Sequence, residues 1–432
     1  MFGYHLRLAL HSIARDRLGS LLAILAIGLG IGAVATMATL LGELTRDPLP
    51  GRSGELFHPH LDASPPGFAA AAGGAFDPGE RMTWLDAHNL LHSGMASSQA
   101  IMAGGRARLD AVDGVAPLAI QGRYATARFF ALFGVPFDGG SGWSATDDDE
   151  GAHLVVLSRH VAASLFGARN AVGQIVRIEG TAFRVIGVTG DWQATPLFYG
   201  GAGGDAAYRE DGFFLPLQAA VDLSLPFAGG TTCWGDSART GDGCAWLQFW
   251  VRLPGAGAAG RYRDFLRAYA AGQRAHGRHV RIESPALLTV HDCLRKLQAV
   301  PREVFVQCGL SLAFFLVCLL DTAGLLLARF LARELDVGIR RAMGATRSQV
   351  FQRFAVEAAL LGLAGGCVGV ALAQAGLWLV RRRPDAYASL AHMHAGALLA
   401  ALGASLLAAL AAGALPAWRA CRVAPAANLR CA

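Results

Sequence analysis

The sequence predicts a membrane protein with an α-helical domain of four spans and a large α+β domain of two lobes inserted between the first and second spans. Hydrophobic residues make up 53% of the 432 residues and charged residues only 16%, whereas soluble domains carry roughly 25% charged residues. Four apolar runs are each long enough to cross ~30 Å of hydrocarbon at ~1.5 Å per residue. Between the first two runs lies the more polar stretch 43–303, which is long enough to bury a core of its own.

The amino-terminal part consists of a basic segment and the first span. Residues 1–17 carry three arginines and are interpreted as a cytoplasmic interfacial segment. Residues 18–42 contain no charged side chain. Because the apolar core of a cleaved signal peptide has only ~7–15 residues, we favour an uncleaved transmembrane helix here. Gly28 and Gly32 have the small-xxx-small spacing that allows helices to pack closely.

The inserted domain is expected to lie outside the cytoplasm, because it carries a slight excess of acidic residues while the segments beside the spans are rich in arginine. In its most regular part, Leu154–Leu157 has the composition of a buried strand, followed by a helix that Ser158 caps and Gly167 ends. We interpret about 151–230 as an inserted lobe and 285–303 as a helical stalk that enters the second span.

Two cysteines, Cys233 and Cys244, lie deep within the inserted domain in a loop rich in glycine and aspartate. An oxidising compartment allows a disulfide between them, and two free thiols are the alternative. No group of cysteine, histidine and acidic residues has the spacing of a zinc site or a calcium loop, so we expect no bound metal ion.

The second span, 304–328, is interrupted only by Asp321. An acidic residue in a span costs about 2.5–3.5 kcal/mol on insertion scales. Asp321 is therefore either part of a protein interface that takes part in conformational change or, as we favour, a polar packing residue near the cytoplasmic end of the span.

Two further spans complete the membrane domain, and Glu357 lies near the start of the first of them. The arginines concentrate in a loop before that span and in the tail, which the positive-inside rule places in the cytoplasm. The predicted segments, in order, are the cytoplasmic coupling loop 329–353, the span 354–380, the short outer loop 381–394, the span 395–415 and the cytoplasmic tail 416–432.

A short amphipathic helix is predicted within the coupling loop. Ile339 and Met343 are four residues apart, so they share one face of this helix. Gly344 stands where a helix end favours a residue with positive φ. Thr346 and Gln349 have the spacing of a capping box, which would start the next helix. The sequence therefore predicts a small helical shelf at the membrane surface, suited to receive force from a soluble partner.

This loop resembles the segment E-x-G-I-R-R-A-x-G-A-x-R found between the second and third spans of MacB/FtsX-type ABC transporter permeases. The inserted domain is similar to the MacB-type periplasmic domain, and residues 416–420 resemble the family's terminal P-A-W-R-A signature. The resemblance covers nearly the whole chain. In the loop the spacing is intact at Glu334, Gly338, Ile339, Arg340, Arg341, Ala342, Gly344, Ala345 and Arg347.

The resemblance implies a permease of the bacterial inner membrane that dimerises with itself or a paralogue and joins an ABC ATPase subunit, which binds ATP and Mg²⁺. Closure of the ATPase would be transmitted through the coupling loop to the spans and the periplasmic domain. Gly28, Gly32, Asp321 and Glu357 are expected to serve helix packing and conformational change. The expected coupling residues are Glu334, Ile339, Arg340, Arg341, Met343, Gly344, Thr346 and Arg347.

The sequence itself offers no catalytic motif. Lys296 is the only lysine, and it lacks the preceding glycine loop that a Walker A motif requires. We therefore expect no enzymatic site and no cofactor on this chain, with ATP hydrolysis on another polypeptide. The net charge of +6 comes from arginines beside the spans, so we expect a lipid bilayer rather than nucleic acid as the partner of these basic segments.

Two kinds of function remain open for such a permease. One is export of a peptide, an antibiotic or another amphiphilic substrate, together with a periplasmic adaptor and an outer-membrane channel. The other is mechanotransmission without transport, which would activate a periplasmic wall hydrolase; release of lipoproteins is a related alternative. The size of the inserted domain favours export, because a regulator is expected to have a smaller one.

Overall fold

The computed structural model divides into two units, Met1–Thr45 with Val300–Ala432 and Arg46–Ala299. For Arg347 and for residues 415–422 the structure describes the backbone alone. The residues that the structure describes are 9, 11–65, 80–110, 116–192, 194–200, 208–234, 239–255, 257–278, 285–298, 300–332, 339, 343–344, 346–382 and 392–422.

Long helices dominate the first unit, and strands with short helices dominate the second. The helices are α1 (Arg17–Leu44), α2 (Trp84–Leu91), α3 (Phe129–Phe133), α4 (Ala145–Asp149), α5 (Arg159–Phe166), α6 (Leu217–Asp222), α7 (Ala258–Ala275), α8 (Val290–Lys296), α9 (Arg302–Leu331), α10 (Arg347–Arg381) and α11 (Ala395–Arg422). The strands are β1 (Leu56–His60), β2 (Met82–Thr83), β3 (Ser98–Leu109), β4 (Leu118–Ala125), β5 (Phe137–Gly140), β6 (Leu154–Leu157), β7 (Ile175–Ile178), β8 (Thr181–Thr189), β9 (Phe213–Pro216), β10 (Phe227–Ala228), β11 (Thr232–Cys233), β12 (Cys244–Arg252) and β13 (Ala286–Thr289).

Helices α1, α9, α10 and α11 are each long and apolar enough to cross a membrane, which confirms the predicted fold class for the helical unit. Helix α10 begins well before the predicted start of its span because Thr346 and Gln349 form the expected capping box. The Thr346 hydroxyl accepts a hydrogen bond from the backbone N–H of Gln349 at 3.3 Å, and the Gln349 side chain accepts one from the backbone N–H of Thr346 at 3.1 Å. These bonds satisfy backbone donors that the helix itself leaves without a partner.

A mixed sheet forms the frame of the second unit, with the strand order β13-β1-β12-β3-β4-β9-β6-β8-β5. The pairs β4–β9 and β6–β8 are parallel, and the other neighbours on this path are antiparallel. Strand β6 is buried along its whole length, as its apolar run predicts. Ser158 caps α5 and Gly167 follows its last residue with a φ of 60°, so this predicted strand–helix unit is confirmed.

The second lobe is inserted between two neighbouring strands of the sheet. The chain leaves the strands of the first lobe at the end of β4 and rejoins them in β9, which pairs parallel with β4 through partners such as Ala125 and Pro216. The predicted lobe at about 151–230 thus begins in the structure already after Ala125. Its strands continue the sheet of the first lobe instead of forming a separate one.

Two hydrophobic cores cover the two faces of the sheet, and β12 contributes to both. Phe249 packs into one core with Leu266 of α7, and Trp250 points into the other core with Phe129 of α3. Successive side chains of a strand point to opposite faces. Because both faces are covered, β12 is buried over nearly its whole length.

The chain between this sheet and α9 differs from the helical stalk that the sequence predicted. Ala286–Thr289 is strand β13, which pairs antiparallel with β1 through partners such as Phe57 and Thr289. Thr289 then caps α8 in a capping box with Asp292. The helical prediction for this segment is wrong at its start because β1, which lies far away in the sequence, takes up its backbone hydrogen bonds.

A disulfide joins Cys233 to Cys244. The two cysteines are opposite each other in the antiparallel pair β11–β12. Cys244 is 2% exposed at the edge of the core, whereas Cys233 is exposed. The bond therefore attaches the short strand β11 to the buried strand β12.

Asp148 of α4 links two other parts of the domain. Its Oδ2 accepts a hydrogen bond from the backbone N–H of Ala127 at 3.0 Å, and it also interacts with the backbone N–H of Leu217 at the start of α6. Burial raises the pKa of Asp148 to about 7. Between about pH 4 and 7 the folded protein thus retains a proton that the unfolded chain releases, so the stabilisation from this group is lost as the pH rises through 7.

We expect Asp148→Asn to stabilise the protein at pH 8 by roughly 2–4 kcal/mol, because the amide needs no proton to remain neutral. At pH 4 the effect should nearly vanish, since Asp148 is then protonated in the folded state. Thermal unfolding of both proteins from pH 4 to 8, followed by tryptophan fluorescence, measures the difference. Identical pH profiles of the melting temperature would contradict the prediction.

Candidate functional site

The described part of the coupling loop presents two large apolar side chains to solvent. Ile339 is 55% exposed and Met343 is 76% exposed. The backbone N–H of Met343 donates to the carbonyl oxygen of Ile339 at 3.0 Å, so a helical turn holds the two side chains four residues apart on one face. Gly344 follows with a φ of 96°, the left-handed conformation that was predicted. The turn ends two residues before the capping box that starts α10.

The coupling role of all these residues stays a prediction. Glu334, Arg340 and Arg341 lie outside the described residues, and of Arg347 only the helical backbone is described.

A cluster of charged residues, in which Arg329 and Glu357 are buried, lies where the coupling loop meets the helices. Arg329, near the end of α9, donates from Nε to Asp16 Oδ2 at 2.9 Å and from Nη2 to the Asp16 backbone oxygen at 2.9 Å. The same Nη2 bonds the hydroxyl of Ser20. On its other side, Nη1 lies 3.2 Å from Oε1 of Glu357, which also accepts a hydrogen bond from the hydroxyl of Ser12 at 2.7 Å.

This network ties together three helices whose ends flank the coupling loop. Glu357 is fully buried and the Arg329 side chain is 6% exposed. Asp16 also accepts from the backbone N–H of Gly19 and so caps α1. A buried charge is tolerated only when it is paired and hydrogen-bonded, so displacing one of these helices would break contacts in the other two.

Glu357 was identified from the sequence, but Arg329 was counted only among the arginines of the coupling loop. The signal that points to Arg329 is Glu357 itself, because an acidic residue in an apolar helix requires a nearby partner. The arginine at the end of the preceding span is such a partner.

Glycines allow α1 and α10 to approach closely. A Cβ atom built on Gly28 would lie 3.2 Å from the backbone oxygen of Gly365, and one built on Gly32 would lie 3.2 Å from that of Gly369. These distances are tighter than ordinary contacts, so both positions need the absence of a side chain. On α11, Ser405 packs against Gly366 in the same manner. Helix α10 thus has small residues toward both neighbours and forms the centre of the helical unit.

Asp321 is exposed on the surface of α9 and is not a packing residue inside the unit, contrary to the favoured interpretation. Leu310, Phe314 and Val317 lie on the same helical face by their spacing and are 44–70% exposed. The acid therefore belongs to an apolar face that is open in a single copy of the chain.

Comparison with known proteins relates both units to described families. Residues 20–259 match the model of the MacB-like periplasmic core domain, and residues 309–425 match that of the FtsX-like permease C-terminal domain. The first match alone covers more than half of the chain.

Among curated relatives, the "Macrolide export ATP-binding/permease protein MacB" of Syntrophobacter fumaroxidans is 26% identical over 474 residues, covering 99% of this chain and 64% of that protein. The "Pyoverdine export ATP-binding/permease protein PvdT" of Pseudomonas aeruginosa is 24% identical over 310 residues, covering 68% of this chain and 40% of that protein. The chain thus spans less than two thirds of the length of these relatives.

Among solved structures, the periplasmic region of MacB from Actinobacillus actinomycetemcomitans aligns with 60% of this chain and 99% of its own, at 13% identity and a TM-score of 0.38. The extracellular domain of the ABC-type transporter YknZ from Gram-positive bacteria aligns with 54% of this chain and 100% of its own, at 13% identity and a TM-score of 0.35.

Proposed function

Because the chain belongs to the MacB/FtsX-type ABC transporter permeases, we propose that it transmits the motion of an ABC ATPase through its spans to the periplasmic domain. The observation that carries this proposal is the exposed apolar pair Ile339 and Met343 on a short turn between α9 and α10. Exposed apolar side chains on a protein surface are typical of contacts with a partner. The ATPase would bind here and move the turn when it closes.

The helices around the turn are arranged to pass such a movement on. The capping box fixes the turn to the start of α10, because its hydrogen bonds join Thr346 and Gln349 in both directions. The Arg329–Glu357 ion pair fixes the end of α9 to the same helix. Arg329 also binds Asp16, the residue that caps α1. A displacement of the turn therefore reaches three helices as one body.

The motor is proposed to be an ATP-binding subunit that supplies ATP and Mg²⁺ to the complex. The printed names of the relatives combine "ATP-binding" and "permease", whereas the domain models matched here are permease domains. Lys296, the only lysine, is not in a phosphate-binding glycine loop. The coupling residues Arg340 and Arg341, together with Glu334 and Arg347, would add polar contacts to the apolar pair.

A second permease copy or a paralogue is proposed to cover the open face of α9. Exposed to lipid, Asp321 would cost about 2.5–3.5 kcal/mol on insertion scales. A protein partner on this face would supply polar groups for the acid and bury the apolar residues beside it. The dimer would lie in the bacterial inner membrane, with the MacB-like domain in the periplasm.

The substrate is proposed to be a peptide, an antibiotic or another amphiphile that is exported with the help of a periplasmic adaptor and an outer-membrane channel. Relatives are named for export of a macrolide, of pyoverdine and of syringafactin. These names describe those proteins and supply the class of substrate to test for this chain.

The proposal is tested by purifying the chain in a mild detergent from cells that express two differently tagged copies. Mass spectrometry of the first eluate should find an ABC ATPase, and the second tag should be retained if the permease is a homodimer. Retention of an outer-membrane channel would support export, while a wall hydrolase in its place would contradict it. If no ATPase is recovered in several detergents, even under conditions that hold ATP on the complex, the proposal that the chain transmits the motion of an ATPase is contradicted.

A further inference from the structure

The end of α10 that is farther from the coupling loop carries an aromatic and a basic side chain one helical turn apart. Trp378 is 47% exposed and its neighbour Leu379 is 59% exposed. The guanidinium carbon of Arg382, the residue that follows α10, lies 3.8 Å from the centre of the Trp378 ring. Among the residues that the structure describes, no carboxylate forms an ion pair with this guanidinium. The arginine therefore presents an uncompensated positive charge at the surface.

Trp378 lies on a face of α10 that α1 does not cover. Gly369 marks the face toward α1, because a Cβ atom built on it would lie 3.1 Å from the backbone oxygen of Gly28. Trp378 follows nine residues later, which at ~100° per residue is about half a turn around the helix axis. The indole thus faces away from α1, where lipid would surround a membrane-spanning helix.

Trp378 and Arg382 also occur at the depths where a bilayer changes from hydrocarbon to headgroups. Residues 358–380 contain no charged side chain. With Gly369, the middle of this run, at the bilayer centre, a rise of ~1.5 Å per residue puts Trp378 about 14 Å and Arg382 about 20 Å from the centre. The hydrocarbon ends about 15 Å from the centre, and the headgroups end about 20–22 Å from it. The indole would therefore lie at the edge of the hydrocarbon and the guanidinium at the level of the phosphates.

The positive-inside rule does not explain the positive charge at this end of α10. Arg382 belongs to a run of three arginines, 381–383, in the loop that was predicted to lie outside the cytoplasm, where that rule expects few arginines. Arg381 is half-buried, and Arg383 lies outside the described residues. An anionic partner for the exposed Arg382 would account for a cation on this side of the membrane.

The pair of Trp378 and Arg382 has the chemistry of a phosphate site with an apolar base. A guanidinium holds its N–H donors in one plane, in a fork that fits two oxygens of a phosphate. At 3.8 Å the indole contacts the flat side of the guanidinium, so the donors on its edge remain open. The same contact restricts the arginine before a ligand binds, which lowers the entropy cost of binding.

We propose that Trp378 and Arg382 bind an anionic phospholipid in the leaflet opposite the coupling loop. The phosphodiester lies on the guanidinium, and an acyl chain lies along Trp378 and Leu379. A zwitterionic lipid binds less well, because its own ammonium group competes with the guanidinium for the phosphate. One arginine at an anionic surface corresponds to about a fivefold preference for the anionic lipid.

Quenching of tryptophan fluorescence by bromine measures this preference. The full chain is placed in phosphatidylcholine nanodiscs that contain a minor fraction of either brominated phosphatidylglycerol or brominated phosphatidylcholine. The difference in quenching between the wild-type chain and Trp378→Phe gives the contact of bromine with Trp378 alone. At equal fractions, we expect brominated phosphatidylglycerol to occupy the site about fivefold more than brominated phosphatidylcholine.

Two variants separate this site from general attraction by charge. Arg382→Gln should remove the preference for phosphatidylglycerol. Arg302→Gln is the matched control, because it removes an exposed arginine at the start of α9 and should keep the preference. Each variant is compared with its own Trp378→Phe background. Excess inorganic phosphate at constant ionic strength should not displace the brominated lipid, since a soluble anion lacks the acyl chain.

Four results would overturn the proposal. They are equal quenching by the two brominated lipids in the wild-type chain, an unchanged preference in Arg382→Gln, loss of the preference in Arg302→Gln, and displacement of the lipid by inorganic phosphate. Neither ATP nor an ATPase is needed, so this proposal and the transport function can fail separately.

Discussion

Replacing Arg329 with methionine is expected to destabilise the helical unit by about 3 kcal/mol or more. The substitution removes the Arg329 ion pair of the fully buried Glu357, and breaking a buried ion pair by removing one partner typically costs about 3–5 kcal/mol. It also removes the bonds to Asp16 and Ser20 that attach α1 to α9. Unfolding of the purified protein in mixed micelles with increasing denaturing detergent measures the change.

A double-mutant cycle separates the ion pair from general damage to the helices. We expect Glu357→Gln alone to destabilise the unit less than Arg329→Met, because Arg329 keeps its ion pair with Asp16. The double variant should be more stable than the sum of the two single effects predicts. The coupling free energy should be about 2 kcal/mol. Arg382→Met is the matched control, since its guanidinium lies exposed 3.8 Å above the Trp378 ring and should contribute ~1 kcal/mol or less. A coupling free energy near zero would show that Arg329 and Glu357 do not stabilise the helical unit as a pair.

The second large effect is expected from the exposed apolar pair. Ile339→Asp combined with Met343→Asp should lower the affinity of the chain for the proposed ATPase by at least tenfold, because desolvated apolar anchors dominate the energy of interfaces. Stimulation of ATP hydrolysis by the permease should then be lost. The stability of the chain should be unchanged, since both side chains are exposed in the single copy. Co-purification of the ATPase and its hydrolysis rate in nanodiscs measure the two effects.

Ile175→Asp provides the matched control for this substitution. Ile175 is 65% exposed but belongs to β7 of the other unit, so its change to aspartate should leave ATPase binding intact. Normal recovery of the ATPase with the double variant would show that the apolar pair is not the binding surface.

Local chemistry explains most of what was predictable from the sequence. The Thr346 capping box, the left-handed Gly344 and the cap of α5 by Ser158 depend on residues at most a few positions apart. The spacing of Gly28 and Gly32 likewise indicates which face of a helix can approach another. In each case the information lies within one element of secondary structure.

Features that depend on distant contacts were not predictable in this way. Arg329 meets Asp16 across a sequence separation of 313 residues, and no local pattern indicates that pairing. The β13 segment was misread because its partner β1 lies far away in the sequence.

The parallel pairing of Ala125 with Pro216 has a consequence for how such a domain can evolve. The segment between them starts after one strand of the frame and ends at the neighbouring strand, and it also pairs with the frame where Ile178 is the partner of Leu109. Segments with adjacent ends can be lengthened, shortened or exchanged while the host structure keeps its register. Related proteins can therefore acquire new surfaces in this lobe by recombination, without redesigning the part of the chain that continues into the membrane.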